Sequence, residues 1–230
     1  MKRILCFGDS NTWGLIAGTN RRYEYSERWT GRLQKAFNRE EVQIIEEGLC
    51  GRTTVTEDTY RIGRAGSKLL PVLLESHSPL DLVVLMLGTN DCKYAYNPTA
   101  ESIGDGIEVL LKQIRNYSKD CKILLISPIE LGNDIGRFDK EFNDYSIEVS
   151  KGLPGVYQNI ADKYEIDYLK ASAYANPSDV DREHLDEEGH KKLAKAITDK
   201  VREIILPQKT LLDNYSSASY FQRNLSLIHI

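Results

Sequence analysis

The stretch "DLVVLMLG", residues 81–88, decides the fold class. Its apolar residues run without alternation, so a strand here is covered on both faces, as strands are in a parallel sheet with helices above and below. Reading outward, "RILCF" (3–7), "VQIIEEG" (42–48), "CKILLISPI" (121–129, closed by Pro128) and "IDYLKA" (166–171) are four further strand candidates. Helical spacing fills the gaps between them. Trp29, Leu33, Ala36 and Phe37 share a face within 25–38, with Ser26 as the expected N-cap. Residues 66–76 read as helical, with Pro71 near the first turn or at a kink. After the start signal Asn97-Pro98, Ile103, Ile107, Leu110, Leu111 and Ile114 form one stripe. A helical region from about 139 to 164 is expected to break at "GLPG" (152–155). A closing helix capped by Asp186 buries Leu193, Ala194, Ile197, Val201 and Ile204. Strands alternating with helices of crossover length predict an α/β fold, a three-layer α/β/α sandwich with a mostly parallel sheet of about five strands.

Composition fits one soluble unit. The 230 residues are 41% hydrophobic and 28% charged. A net charge of −4 gives no electrostatic case for nucleic acid or an anionic membrane surface. The four cysteines, Cys6, Cys50, Cys92 and Cys121, form no CxxC pair, which argues for a reducing compartment and against a zinc site. The apolar run after Lys2-Arg3 is shorter than a secretory core, and no window approaches a membrane span. A cytoplasmic protein is expected. No linker divides the chain, so residues 1–206 read as one domain, with a tail of unassigned role at 207–230.

Ligands of open α/β sheets bind beyond the carboxyl ends of the strands. Four polar clusters fall there: Gly8-Asp9-Ser10-Asn11, Gly48-Leu49-Cys50-Gly51-Arg52-Thr53, Gly88-Thr89-Asn90-Asp91 and Asp181-Arg182-Glu183-His184. Each alone is an ordinary turn or cap. Together they hold what acyl transfer needs: a nucleophile, a base, an orienter for the base, and donors for an oxyanion. Ser10 suits the nucleophile and His184 the base, while Asp181, three residues before His184, can fix its tautomer. The N–H groups of Ser10 and Gly51 and the side-chain amide of Asn90 suit the oxyanion. Such chemistry calls for no metal and no organic cofactor.

The segments "FGDSNTWG", "EEGLCGRT", "GTND" and "DREHL" resemble, in order, the four blocks of the SGNH (GDSL) hydrolase superfamily. "GDSNTWG", "EEGLCGRTT" and "DLVVLMLGTND" are most similar to its arylesterase/acyltransferase branch. The resemblance implies an SGNH-hydrolase, flavodoxin-like fold and a small-molecule ester as substrate. By position it implies Ser10, Asp181 and His184 as the triad and Ser10, Gly51 and Asn90 as the oxyanion hole. It also implies a homo-oligomer, of which composition says nothing.

The sequence departs from the family in places. Asn11 stands where many relatives carry Leu or Ile, so it is expected to tune the serine loop. Asn11 and Trp13 are the expected neighbours of the acyl group. Arg182-Glu183 replace a commoner "Gly-x", and either bind substrate or face solvent. Position 12 is Thr, so there is no Gly-x-Ser-x-Gly elbow and the α/β-hydrolase fold is disfavoured. Arg52, the acidic pair 46–47 and His190 read as solvated or capping residues, and Asp91 as structural. Alternatives to a small-ester esterase are a carbohydrate acetylesterase and a non-catalytic α/β binding protein. A nucleotide binder would want a more phosphate-ready loop than "GDSNTWG".

Overall fold

The central strand β3 (Leu82–Met86) is buried along its whole length, as its unbroken apolar run requires. The computed structural model describes residues 1–205. The tail predicted at 207–230 lies outside the described residues. β3 pairs with β1 (Lys2–Gly8) and β4 (Lys122–Ser127). β2 (Val42–Gly48) flanks β1, and β5 (Asp167–Lys170) flanks β4. All four pairings are parallel, in the order β2-β1-β3-β4-β5.

Alternate residues of each strand feed two separate cores. Leu5, Phe7, Val83, Leu85 and Leu125 pack under α3 (Gly66–Ser76), α4 (Ala100–Tyr117) and α5 (Asp144–Tyr164). Ile4, Cys6, Val84, Met86 and Ile126 meet α2 (Trp29–Lys35) and α6 (Glu187–Ile205) on the other face. This is the expected three-layer sandwich. No helix among the described residues is long and apolar enough to cross a membrane.

The chain leaves β1 toward β2 on one side and then crosses to β3 on the other. The gap between the ends of β1 and β3 is therefore a topological switch point, where such sheets bind ligands. One helical turn, α1 (Ser10–Trp13), starts there, where the sequence suggested a plain loop. The Asp9 carboxylate accepts the Asn11 N–H and Gly14 closes the turn in the left-handed region. Two glycines seat this turn. A Cβ at Gly8 would lie 2.1 Å from Thr12 Oγ1, and one at Gly48 2.2 Å from the Trp13 nitrogen.

Two local expectations are corrected and one is narrowed. α5 runs unbroken through "GLPG" and starts from a capping box of Asn143 and Ser146. Leu153 is core and Gly152 lies against Ala100, so packing outweighs the cost of Pro154, about 3 kcal/mol in a helix interior. In α3, Pro71 sits well inside the helix and cannot donate to the Ser67 carbonyl, which takes a hydrogen bond from Gln113 Nε2 instead (2.8 Å). α2 starts at Trp29 rather than after Ser26, because the Arg28 guanidinium is held by Glu46 and the Tyr23 carbonyl. Asp186 caps α6 as expected, accepting the Gly189 N–H at 2.7 Å.

Gly48→Ala puts a methyl group against the α1 backbone, and overpacking of this kind costs about 1–3 kcal/mol. A lowered midpoint in urea is the expected outcome, with Ser10 displaced along with the turn that carries it.

Candidate active site

Ser10 opens α1 at the end of β1 and is 3% exposed. Its φ is not in the left-handed region, so the serine is presented without a strained elbow. His184 comes from the loop before α6, which connects to Ser178 twice: the Ser178 N–H donates to the His184 carbonyl (2.7 Å) and the Arg182 N–H to the Ser178 carbonyl (2.9 Å). The fold brings His184 Nε2 to 2.9 Å from Ser10 Oγ and His184 Nδ1 to 2.8 Å from Asp181 Oδ2. Serine, imidazole and carboxylate thus form one continuous relay, which a three-residue spacing in a tight loop makes possible for Asp181 and His184.

Gly51 and Asn90 lie beyond β2 and β3, the two strands flanking β1. Gly51 has φ +82°, a left-handed backbone that favours glycine, while a Cβ there would meet only the movable end of the Arg61 side chain at 2.5 Å. The Asn90 amide donates to the Arg52 carbonyl at 3.2 Å, which ties the second loop to the third. Thr54 repeats the tie, its N–H and hydroxyl both donating to the buried Asp91 carboxylate. Asp91 is structural, as expected, and burial raises its pKa to about 6 despite those bonds. The N–H groups of Ser10 and Gly51 donate to no protein oxygen among the described residues, and so are free to meet a developing oxyanion.

Arg52 is not the solvated charge the sequence suggested. It is 3% exposed, lies 4.2 Å over the Phe7 ring, and donates to the carbonyls of Gly8 and Glu47. It joins the ends of β1 and β2 directly beneath the Gly51 turn. Glu46 is likewise no solvated acid, since Arg28 grips it with two bonds of 2.7 Å. His190 is fully buried and its Nδ1 accepts the Trp29 N–H, joining α6 to α2. Burial and nearby arginines hold it neutral, with a pKa of about 3. Nothing in the local sequence separates these three from surface residues; their partners come from other elements.

The Asn11 side chain bonds the histidine loop on both sides of His184. Its amide nitrogen donates to the Glu183 carbonyl (3.3 Å) and its oxygen accepts the Leu185 N–H (2.9 Å). It brackets His184 and holds that loop on the serine turn. Trp13 is half-buried, with the Arg22 guanidinium 5.1 Å over its ring. Arg182, at φ +64°, turns outward to Asp179. Glu183 turns inward, 3.8 Å from His184 Nε2.

These contacts set the charges. Burial alone would raise Asp181, but bonds from His184 Nδ1 and the N–H groups of His184 and Glu183 hold it at about 2. Its Oδ2 also accepts the Gly18 N–H at 2.9 Å. Burial pushes Glu183 up to about 7; the His184 charge opposes the rise, while Asp139, Asp181 and Asp9 add to it. For His184, burial pulls the pKa down, but the carboxylates of Glu183, Asp181 and Asp9 outweigh it and lift the imidazole to about 9.

The fold and these four clusters define an ester-hydrolase class, and comparison with known proteins agrees. The GDSL-like lipase/acylhydrolase family model matches residues 6–192, and the chain belongs to that family. It is a carboxylic ester hydrolase of the SGNH type. An aryl esterase from M. smegmatis is similar at 32% identity and TM-score 0.84, over 89% of this chain and 100% of that one. A carbohydrate acetylesterase from Sinorhizobium meliloti is similar at 34% identity and TM-score 0.85, over 89% and 100%. A lipolytic G-D-S-L protein from Veillonella parvula, at 15% identity and TM-score 0.61, shares the fold. A comparison with curated proteins returns no match.

Only a neutral imidazole can accept a proton, so a His184 pKa lifted above the ordinary histidine value places the rising limb of kcat/KM on the alkaline side. Glu183→Gln removes one of the negative charges that stabilise the imidazolium and should move that limb to lower pH, read from kcat/KM for p-nitrophenyl acetate between pH 5 and 10. Asn11→Ala should lower kcat for every acyl length alike, by about 10²-fold if His184 shifts by an ångström. A change in chain-length preference without a general loss would return Asn11 to the acyl pocket.

Proposed function

We propose that the chain is a serine esterase for small, acetyl-type esters, working through an acyl-enzyme. The observation that carries this reading is the unbroken relay Ser10–His184–Asp181, at 2.9 and 2.8 Å, on a serine that is almost wholly buried. His184 takes the Ser10 proton as Oγ attacks the ester carbonyl. The N–H groups of Ser10 and Gly51 and the Asn90 amide hold the oxyanion; one such donor is worth about 10²–10³ in turnover. The imidazolium, steadied by Asp181, then protonates the leaving alkoxide. Water or another alcohol resolves the acyl-enzyme by the reverse path, so acyl transfer to alcohols belongs to the same reading. The burial of Ser10, Asn90 and His184 favours small acyl groups over long chains. A second reading, deacetylation of sugars, has the Sinorhizobium meliloti carbohydrate acetylesterase in its favour and uses the same residues.

Two measurements test the proposal together. An organophosphonate should label wild-type protein and leave Ser10→Ala unlabelled; label on Ser10→Ala places the nucleophile elsewhere. In a p-nitrophenyl series from acetate to octanoate, kcat/KM should fall steeply with chain length. A preference for octanoate would sink the small-acyl reading, and faster release of acetate from acetylated xylo-oligosaccharides than from aryl acetate would favour the second.

A further inference from the structure

Beyond its charge on His184, the Glu183 side chain has no partner described so far. The residue is 6% exposed, yet neither carboxylate oxygen accepts a hydrogen bond among the described residues. Neither is among the fully buried unpartnered polar atoms, so the carboxylate keeps a small contact with solvent, and a water is the donor open to it. Its backbone is fully engaged, with the carbonyl bound by Asn11 and the N–H given to Asp181, so the side chain's direction is fixed by the same bonds that fix His184. It approaches the imidazole at Nε2, the edge that serves Ser10, while Asp181 occupies the Nδ1 edge. The separation of 3.8 Å from Oε1 to Nε2 is too long for a direct hydrogen bond. It is short enough for one water, at roughly 2.8 Å from each atom, to bridge them.

We propose that Glu183 is a positioning residue for the water that hydrolyses the acyl-enzyme, and that it thereby sets the balance between hydrolysis and acyl transfer. The inference rests on the acyl-enzyme reading above. Once Ser10 Oγ is esterified it has no proton to give Nε2, and that nitrogen is open to the next nucleophile. A water there donates one hydrogen to Nε2 and the other to Glu183. An alcohol has a single hydroxyl hydrogen, which Nε2 takes, so Glu183 anchors water and not alcohol. In the step itself the water oxygen bonds to the acyl carbon and its proton passes to Nε2. The tetrahedral intermediate then collapses by breaking the bond to Ser10 Oγ, which recovers the proton from His184, and the carboxylic acid leaves. Glu183 exchanges no proton in the cycle.

The partition between water and alcohol isolates this role. Both nucleophiles lose their proton to the same His184, so any change in the histidine's pKa cancels from the ratio. Acetyl-enzyme formed from p-nitrophenyl acetate is allowed to partition between water and increasing methanol. The initial p-nitrophenol burst, the steady-state rate and the yields of acetate and methyl acetate give the two rate constants. In Glu183→Leu the ratio of the water constant to the methanol constant should fall about tenfold, the scale of a lost hydrogen bond to a charged group. Glu183→Gln, which keeps an acceptor oxygen, should recover most of the loss. Glu183→Ala, which cannot overpack the loop, should behave like the leucine variant. An unchanged ratio in both apolar variants overturns the proposal, however the two constants move together. Wild-type protein whose ratio of acetate to methyl acetate differs between p-nitrophenyl acetate and phenyl acetate has no common acyl-enzyme, and that overturns the acyl-enzyme reading itself.

Discussion

The amide of Asn11 joins two parts of the chain more than 170 residues apart, and the chemistry depends on that junction. Ser10 is positioned by the first strand and the turn that follows it. His184 is positioned by a loop of irregular backbone near the end of the fold. A loop holds a side chain to within a few tenths of an ångström only when its polar groups are bonded. Here Asn11 bonds the residues on both sides of His184, while Asp181 and Ser178 bind the loop to itself. These bonds are buried, so losing a partner would leave an unsatisfied group at a cost of about 1–3 kcal/mol.

Two acids share that loop and meet opposite surroundings. Asp181 accepts hydrogen bonds from an imidazole and from three backbone N–H groups, and stays ionised. Glu183, two residues on, has no donor, and burial lifts it toward neutrality. Environment, more than residue type, divides the labour between carboxylates in one site. One orients the base from behind; the other stands on the side where the second nucleophile must enter.

The fold was legible because its signals are local and redundant. An unbroken apolar run at 82–86 cannot have a wet face, and the helical stripes around Ile107 and Ile197 have the required period. Ser10, Asp181 and His184 could be singled out because side chains of the types suited to acyl transfer fall at strand ends in order, and the fold brings the three into hydrogen-bond contact. Misreadings came where a long-range partner reversed a local preference. "GLPG" stays helical because Leu153 is needed in the core. Arg52, Glu46 and His190 look like surface residues one by one, and their partners are brought to them by β1, α2 and the crossovers.

Sequence alone determined the α/β class and the parallel sheet, and it singled out Ser10, Gly51, Asn90, Asp181 and His184 as candidates beyond the strand ends. It could do so because hydrophobic period and residue chemistry are properties of short segments. Only the tertiary structure decided that Asn11 grips the histidine loop, that Arg52 lies buried under the Gly51 turn, and that Glu183 points inward while Arg182 points out. Direction, burial and charge state depend on which distant groups a side chain meets, and that is fixed when the strands take the order β2-β1-β3-β4-β5.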